Sequence, residues 1–416
     1  MKKPLLFLLS TTILPFTVNI ITSCSNKPTS DDIPYNAQVY DLPCFYINTE
    51  NSSPITSKDD YLSCNVTINN TETPYKLSNE GAKIKGRGHS TWKASKKPYK
   101  LKFNEKVDLF GNGAAKNWTL LANHYDPTLI KNYLAFSVAS LFASQPYTSS
   151  CEFVDLYVNN DYRGVYTVCE QVEVKENRID IETPYTDPSK MSYLIELDNR
   201  LMFEAEANNT FSMSNDYYEV KYPDLDYPEY TKDYTLEAKN YLQSCMDALD
   251  GNDWSNVEAK IDVESCADSY ILQEVFKNPD VGYSSFYMYI DRSTNAEAKL
   301  SFGPIWDFDL TCGYNGYRNE SYDYKLLVAG PINKWFKKIL KFDEFKNLVK
   351  SELTAHKSNI TEMINNEVQK ILNIPNSFKQ NFKKWSSIIS CDKWEEWISK
   401  TKQWLLSSLN FIYDNI

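Results

Sequence analysis

Cysteines and histidines are residue types that can bind metals, and cysteines can also form disulfides; the chain has nine cysteines and three histidines. The sequence has no CxxC motif, and no histidine stands at a spacing from a cysteine or another histidine that is typical of a metal site. Disulfide formation is the competing chemistry, and it is possible in an oxidising compartment. Cys151 and Cys169 flank a predicted hairpin, although the sequence does not fix the pairing. We interpret His89, His124 and His356 as structural.

The start of the chain has the pattern of an export signal. Two lysines precede a mostly apolar stretch, and Ile21-Thr22-Ser23-Cys24 resembles a bacterial lipobox. We predict a lipoprotein signal peptide over residues 1–23, lipidation of Cys24, and a polar tether over residues 24–34. These features predict an extracytoplasmic protein whose lipid anchor binds a bacterial membrane. The alternative is an ordinary signal peptide with an incidental cysteine.

Export makes the other eight cysteines candidates for disulfides, because an even number of thiols can pair completely. Cys44 and Cys64 lie in neighbouring strand-like segments, which makes them a second candidate pair. The eight are Cys44, Cys64, Cys151, Cys169, Cys245, Cys266, Cys312 and Cys391.

Composition and charge limit the class of protein. The 416 residues include 42% hydrophobic and 24% charged residues, which is typical of a globular chain with a sizeable core. The net charge is −11, and phosphate neutralisation needs a surplus of lysine and arginine. We therefore expect no nucleic-acid partner.

The predicted secondary structure changes in type along the chain, and its strands and helices must position any functional site. Period-two alternation predicts strands at 44–47, 64–68 and 99–103, and a helix follows near 126–142. A strand, turn and strand over 153–168 predict a central hairpin.

Mixed elements follow the hairpin, and the last part is helical. We interpret the acidic, tyrosine-rich stretch 204–234 as a surface excursion. The other predicted elements are a strand at 193–197, helices at 236–249 and 261–276, strands at 285–290 and 299–302, and a helical tail from about 333.

Five characteristic blocks occur in order between residues 84 and 313. They are IKGRGHSTW at 84–92, KKPYKLKF at 96–103, NWTLLAN at 117–123 with Asp126 and Lys131-Asn132, VNNDYRGVY at 158–166 with Glu170, and GPIWDFDLTCG at 303–313. Together they resemble the CotH family of secreted, kinase-like spore-coat proteins. The resemblance implies an α+β fold, with an atypical protein-kinase-like core over 35–330 that is β-rich at its start, and a helical C-terminal cap over 331–416.

The resemblance also implies an activity with its cofactors and partners. It implies binding of ATP with Mg²⁺ or Mn²⁺ and phosphorylation of serines, with surface or coat proteins as substrates. Asp307 resembles the aspartate that holds the metal in the DFG turn of ordinary kinases, and Asp309 is a second carboxylate. The alternative for Asp307 is a structural carboxylate that caps the following turn.

Asp280 stands where the resemblance places the catalytic-loop aspartate, which accepts a proton from the substrate hydroxyl. A metal-binding asparagine is expected five residues later, and this chain has Ser285 there. A hydroxyl is a weaker Mg²⁺ ligand than an amide oxygen. An ordinary turn beside Pro279 is the alternative for Asp280.

Phosphate contacts need cationic side chains. Lys97, Lys100 and Lys102 are candidates, and Lys100 and Lys102 share one face of the predicted strand. One of these lysines is expected to pair with an acid such as Glu170. Arg87, between two glycines, is a further candidate for phosphate. A solvated strand face and a tight turn are the respective alternatives.

Three hypotheses follow for the function. The first is an exported CotH-like protein that works as an atypical ATP- and Mg²⁺-dependent serine kinase. The second is a surface binding or scaffold protein that keeps the fold without catalysis. The third is a glycan-binding surface protein, which depends on acidic residues and on the 9 tryptophans and 30 tyrosines as stacking surfaces.

Overall fold

A computed structural model of the chain describes residues 41–145, 147–183, 186–205, 207–227, 230–294, 298–313, 323–387 and 391–416. The predicted signal peptide, the lipidated Cys24 and the polar tether lie outside these residues. The side chain of Cys391 also lies outside the described part.

The first half of the described chain forms a closed β-barrel. Its strands follow the order β1-β2-β3-β4-β5-β7-β6, and parallel pairing of β1 with β6 closes the ring. The elements are β1 (Cys44–Thr49), β2 (Leu62–Asn69), β3 (Leu77–Gly86), β4 (Tyr99–Val107), β5 (Ala115–Leu121), helix α1 (Lys131–Ala139), β6 (Cys151–Val158) and β7 (Asp161–Glu170).

Alternation along these strands fills the barrel with apolar side chains. On β4, Tyr99, Leu101 and Phe103 are buried, whereas Lys100 is half-buried and Lys102 is exposed. The predicted strands and hairpin are confirmed here. Helix α1 begins later than predicted because the Asp126 carboxylate accepts hydrogen bonds from the Thr128 and Lys131 N–H groups, 2.8 and 2.9 Å away, in the turn before it.

The second half of the chain builds a five-stranded sheet with helices packed around it. The sheet order is β12-β11-β8-β10-β9. The elements are β8 (Tyr193–Leu197), β9 (Thr210–Met213), β10 (Asp216–Tyr222), α2 (Lys232–Asp250), α3 (Trp254–Lys260), α4 (Val263–Phe276), β11 (Phe286–Ile290), β12 (Leu300–Phe302), α5 (Ala329–Ile332), α6 (Lys334–Ile339), α7 (Asp343–Leu372), α8 (Pro375–Lys384) and α9 (Trp394–Asn415).

The prediction of a surface excursion over 204–234 is wrong. Strand β10 lies inside the sheet between β8 and β9, and it buries Tyr218 and Val220 on one face. Charged residues alternate with these apolar ones on the other face. The acidic, tyrosine-rich composition concealed this alternation.

The helical tail packs against the rest of the chain from residue 41 onward in one compact unit. Helix α8 contacts the barrel: the Val165 N–H donates to Asn381 Oδ1 at 3.1 Å, and Trp385 Nε1 donates to the Arg163 carbonyl at 2.8 Å. The β6–β7 hairpin is thereby fixed to the tail. Within the described ranges, no helix combines the length and apolar character needed to cross a bilayer.

Candidate active site

A cleft of about 380 Å³ lies between the barrel and the five-stranded sheet. Seven carboxyl groups and four cationic side chains line it, so acidic side chains outnumber basic ones by three. The carboxylates are those of Glu196, Asp198, Glu204, Glu219, Asp280, Asp307 and Asp309, and the cations are Lys58, Arg87, Arg200 and Lys221. The cleft therefore unites predicted site residues from distant parts of the sequence with residues that were not predicted.

The turn after β12 carries Asp307 and Asp309 into the cleft. Asp307 is partly exposed and has a left-handed backbone with φ of +64°. The N–H of Phe308, between the two aspartates, donates to Asn132 Oδ1 on α1 at 2.7 Å. Asn132 Nδ2 in turn donates to Asn123 Oδ1 at 3.1 Å. Two asparagines of the barrel half thus hold the turn that presents both carboxylates.

Asp309 is a buried carboxyl group, 7% exposed, in a crowded acidic environment. Burial raises its pKa well above the usual value, and the charges of Asp307, Asp126 and Asp280 raise it further, while Lys131 opposes the shift. The Lys131 ammonium donates to the Asp309 backbone carbonyl at 3.3 Å. Such a group of close carboxylates has the donor chemistry that a divalent cation stabilises.

Asp280 and Ser285 reach the same cleft from the loop between α4 and β11. The Asp280 carbonyl accepts hydrogen bonds from Tyr283 and Ser284 N–H at 2.8 and 3.0 Å, which forms a tight turn. Ser285 has φ of +59°, and its hydroxyl donates to Asp307 Oδ2 at 3.4 Å. Ser285 is therefore in contact with the aspartate that was predicted to hold the metal.

Arg87 lies in the cleft on the loop after β3. Its guanidinium stacks on the Trp306 ring at 5.8 Å and forms no ion pair within the described part of the chain. The loop is tight: a Cβ on Gly88, which has φ of +82°, would lie 2.1 Å from Thr91 Oγ1. Arg87 is thus a cation that an anionic ligand in the cleft could bind.

The polar face of the sheet supplies cleft residues that sequence reasoning missed. Glu196 on β8 lies opposite Glu219 on β10, and Lys221 pairs with both at 3.6 and 2.9 Å. Arg200 Nη2 lies 2.6 Å from Asp198. Burial lowers the pKa of Lys221, but the negative charges of Glu196 and Glu219 raise it more strongly, so the net shift is upward. The available signal was charge at alternate positions within otherwise apolar strands.

The three predicted phosphate-binding lysines lie outside the cleft lining. Lys97 donates to the carbonyls of Trp92 and Ala94 at 2.6 and 3.2 Å and so braces the loop after β3. Lys100 and Lys102 share a strand face as predicted. In the register of β4 with β3, Lys100 is paired with Lys85 and Lys102 with Lys83. Strand alternation predicted the shared face correctly, but it contains no information about where the cleft lies.

Glu170 does not pair with a lysine of β4, which corrects the expected pairing. Its buried carboxylate pairs with Arg178 at 2.8 Å and accepts hydrogen bonds from Tyr147 Oη at 2.6 Å and from Ser150 N–H at 2.8 Å. Burial raises the pKa of Glu170, and these three partners oppose the shift. The better-placed partner for Lys100 is Glu173, whose charge raises the lysine pKa while burial lowers it more strongly.

The groups available for a divalent cation are Asp307 and Asp309, with the Ser285 hydroxyl beside them. Among the described residues, no three His, Cys, Asp or Glu side chains are arranged to hold a metal ion. Mg²⁺ usually takes one or two protein carboxylates and completes its octahedron with water and substrate phosphates.

Comparison with known proteins identifies the family. The model of the CotH kinase protein family matches residues 84–412, which is well over half of the chain. The match includes every cleft-lining residue except Lys58, and the helical tail as far as residue 412. No curated protein matches the chain. This protein is a member of the CotH kinase protein family.

Proposed function

We propose that this protein is an exported, lipid-anchored atypical kinase that transfers a phosphoryl group from ATP to serine residues of surface or coat proteins. The observation that carries the proposal is the convergence of Asp280, Asp307, Asp309 and Arg87 in one cleft between the barrel and the sheet. Membership of the CotH kinase family agrees with nucleotide use.

The residues of the cleft suit this chemistry. Asp307 and Asp309 would hold Mg²⁺ or Mn²⁺, and the bound metal would neutralise charge on the phosphates. Burial raises the pKa of Asp309, and the charge of Asp307 raises it further, so a cation bound by both carboxylates would relieve an unfavourable arrangement. Arg87 would bind phosphate oxygens, because its guanidinium has no carboxylate partner among the described residues.

Asp280 would act on the acceptor. Its carboxylate would orient the serine hydroxyl and accept its proton as the phosphoryl group moves. The turn formed by Tyr283 and Ser284 N–H on the Asp280 carbonyl fixes the backbone at this point. Such positioning is the protein's main contribution to phosphoryl transfer, because the reaction needs little covalent help.

A catalytically inactive surface scaffold is the second candidate, and Ser285 favours it. Ser285 replaces the metal-binding asparagine that the resemblance places five residues after Asp280. Its hydroxyl donates to Asp307, which uses one of that carboxylate's acceptor positions. Glycan binding has less support, because the tyrosines and tryptophans that line the cleft are, among the described residues, Tyr125, Tyr287 and Trp306.

The test is incubation of the purified full chain with γ-labelled ATP and Mg²⁺ or Mn²⁺. We expect phosphorylation of the protein itself or of an added serine-rich protein, and loss of label in Asp307→Ala and Asp280→Ala. Asp59→Ala, at an exposed aspartate outside the cleft lining, is the matched control and should keep full labelling.

Absence of label together with absence of calorimetric ATP binding by the wild-type chain would overturn the kinase proposal and favour the scaffold. Label that persists in Asp307→Ala would also contradict it, because phosphoryl transfer would then not depend on the proposed metal ligand.

A further inference from the structure

Two cysteines face each other across the β6–β7 hairpin. In the antiparallel register, Cys151 lies directly opposite Cys169. The next pair along the ladder is Ser150 and Glu170, and the Glu170 N–H donates to the Ser150 carbonyl at 3.4 Å. Pairs in an antiparallel ladder alternate between hydrogen-bonded and non-hydrogen-bonded types. Cys151 and Cys169 are therefore a non-hydrogen-bonded pair.

This type of pair has the spacing that a disulfide requires. The Cα atoms of a non-hydrogen-bonded pair lie about 4.5 Å apart, and disulfides join Cα atoms about 4.4–6.8 Å apart. Both sulfurs are thiols in this structure. We propose that Cys151 and Cys169 become joined in a cross-strand disulfide when the chain folds in an oxidising compartment.

The other candidate pair, Cys44 on β1 and Cys64 on β2, does not have the spacing that a disulfide requires. Cys44 lies opposite Asn69, and Cys64 lies opposite Thr49. The two cysteines are thus displaced by five residues along the strands, or roughly 17 Å at about 3.4 Å per residue. That displacement is far beyond the reach of a disulfide. Both cysteine pairs lie on neighbouring strands, so this fact alone does not distinguish them. The strand register does.

The reaction is a two-electron oxidation by thiol–disulfide exchange. A Cys151 or Cys169 thiolate attacks the disulfide of an oxidant, such as oxidised glutathione or a disulfide oxidoreductase, and forms a mixed disulfide. The second thiolate then displaces the oxidant's remaining sulfur. The oxidant leaves as two thiols, having gained two electrons and the two protons that the cysteines lose.

The surroundings favour a permanent brace over a reversible switch. Cys169 is fully buried, and Cys151 is partly exposed where it lines a cavity of about 210 Å³. Burial raises the pKa of the Cys169 thiol to about 12 and that of Cys151 well above its usual value. Exchange requires a thiolate, so it should be slow once the barrel has closed. The bond would therefore form during folding.

The test is refolding of the full chain in a glutathione redox buffer, followed by alkylation of free thiols, digestion without reductant and mass spectrometry. We expect one dominant cross-linked peptide that joins Cys151 to Cys169. Absence of this peptide, or a statistical mixture of cysteine pairings, would overturn the proposal. This measurement needs only the wild-type chain, so it does not depend on whether a variant folds.

Thermal unfolding gives the second measurement. The wild-type Tm should be about 3–5 °C higher in oxidising buffer than in dithiothreitol. Cys169→Ser should abolish this difference, whereas the matched control Cys44→Ser should retain it. An equal wild-type Tm in both buffers would contradict the proposal. Neither measurement uses ATP, so failure here is distinct from failure of the kinase proposal.

Discussion

The side-chain oxygen of Asn132 accepts a hydrogen bond of 2.7 Å from the backbone N–H of Phe308. Asn132 belongs to α1, and Phe308 lies between the two aspartates of the turn after β12. One amide thus connects the barrel half of the chain to the carboxylates of the cleft. Both residues are buried, so water has little access to replace this bond.

Asn132→Ala should displace the Asp307 turn. Loss of the acceptor leaves the buried Phe308 N–H unsatisfied, which should lower the free energy of unfolding by about 1–3 kcal/mol. Metal-dependent ATP binding, measured by calorimetry, should weaken as well. Asn366→Ala, on the exposed side of α7, is the control and should change neither quantity. Unchanged ATP binding in folded Asn132→Ala would contradict a positioning role for Asn132.

Ser285→Asn should increase kinase activity. Asparagine tolerates the left-handed conformation that Ser285 adopts at φ of +59°, so the variant should fold with undiminished stability. Its amide oxygen is a better Mg²⁺ ligand, and we expect a labelling rate higher by on the order of 10-fold. Ser284→Asn, one residue earlier, is the control. An equal labelling rate for Ser285→Asn and wild type would show that this position does not limit metal binding.

Gly88→Ala should disrupt the loop that carries Arg87. The added Cβ would lie 2.1 Å from Thr91 Oγ1, and the φ of +82° costs an alanine about 1–2 kcal/mol. We expect lower stability in urea and weaker ATP binding. Gly251→Ala is the matched control, since Gly251 has an ordinary φ of −67° and lies outside the cleft lining. Comparable losses in both variants would argue against a special role for this loop.

Asp155 should make stability depend on pH. It is fully buried, donors on Tyr162 and Ser377 contact it at 2.8 and 2.5 Å, and burial raises its pKa from 3.8 to about 6 in spite of these bonds. Between these two pKa values the folded chain holds a proton that the unfolded chain has lost. This contribution to stability is therefore full below about pH 4, falls as the pH rises to about 6, and then levels off.

Asp155→Asn tests this dependence, because asparagine stays uncharged. The stability of the variant minus that of wild type should rise by about 2 kcal/mol between pH 4 and pH 7, as measured by urea unfolding. The difference cancels the contributions of other titrating carboxyls. A difference that is flat over this range would mean that Asp155 titrates normally in the fold.

The sequence by itself determined the family and most of the elements. Five ordered blocks were enough for the resemblance, because they encode local turns and strands such as the tight loop around Gly88 and the turn at Asp307. Period-two alternation located the barrel strands and the central hairpin. Alternation depends only on neighbours along the chain, so no tertiary information was needed for these predictions.

Only the tertiary structure decided which charges face the cleft. Lys100 was predicted at the correct strand position and yet lies outside the cleft lining, while Glu219 and Lys221 were hidden in a segment that had been interpreted as a surface excursion. The partner of Glu170 proved to be Arg178, and the register placed Cys151 opposite Cys169. A sequence gives the face of each strand, but contacts between strands depend on register and on packing between distant segments, which local pattern does not encode.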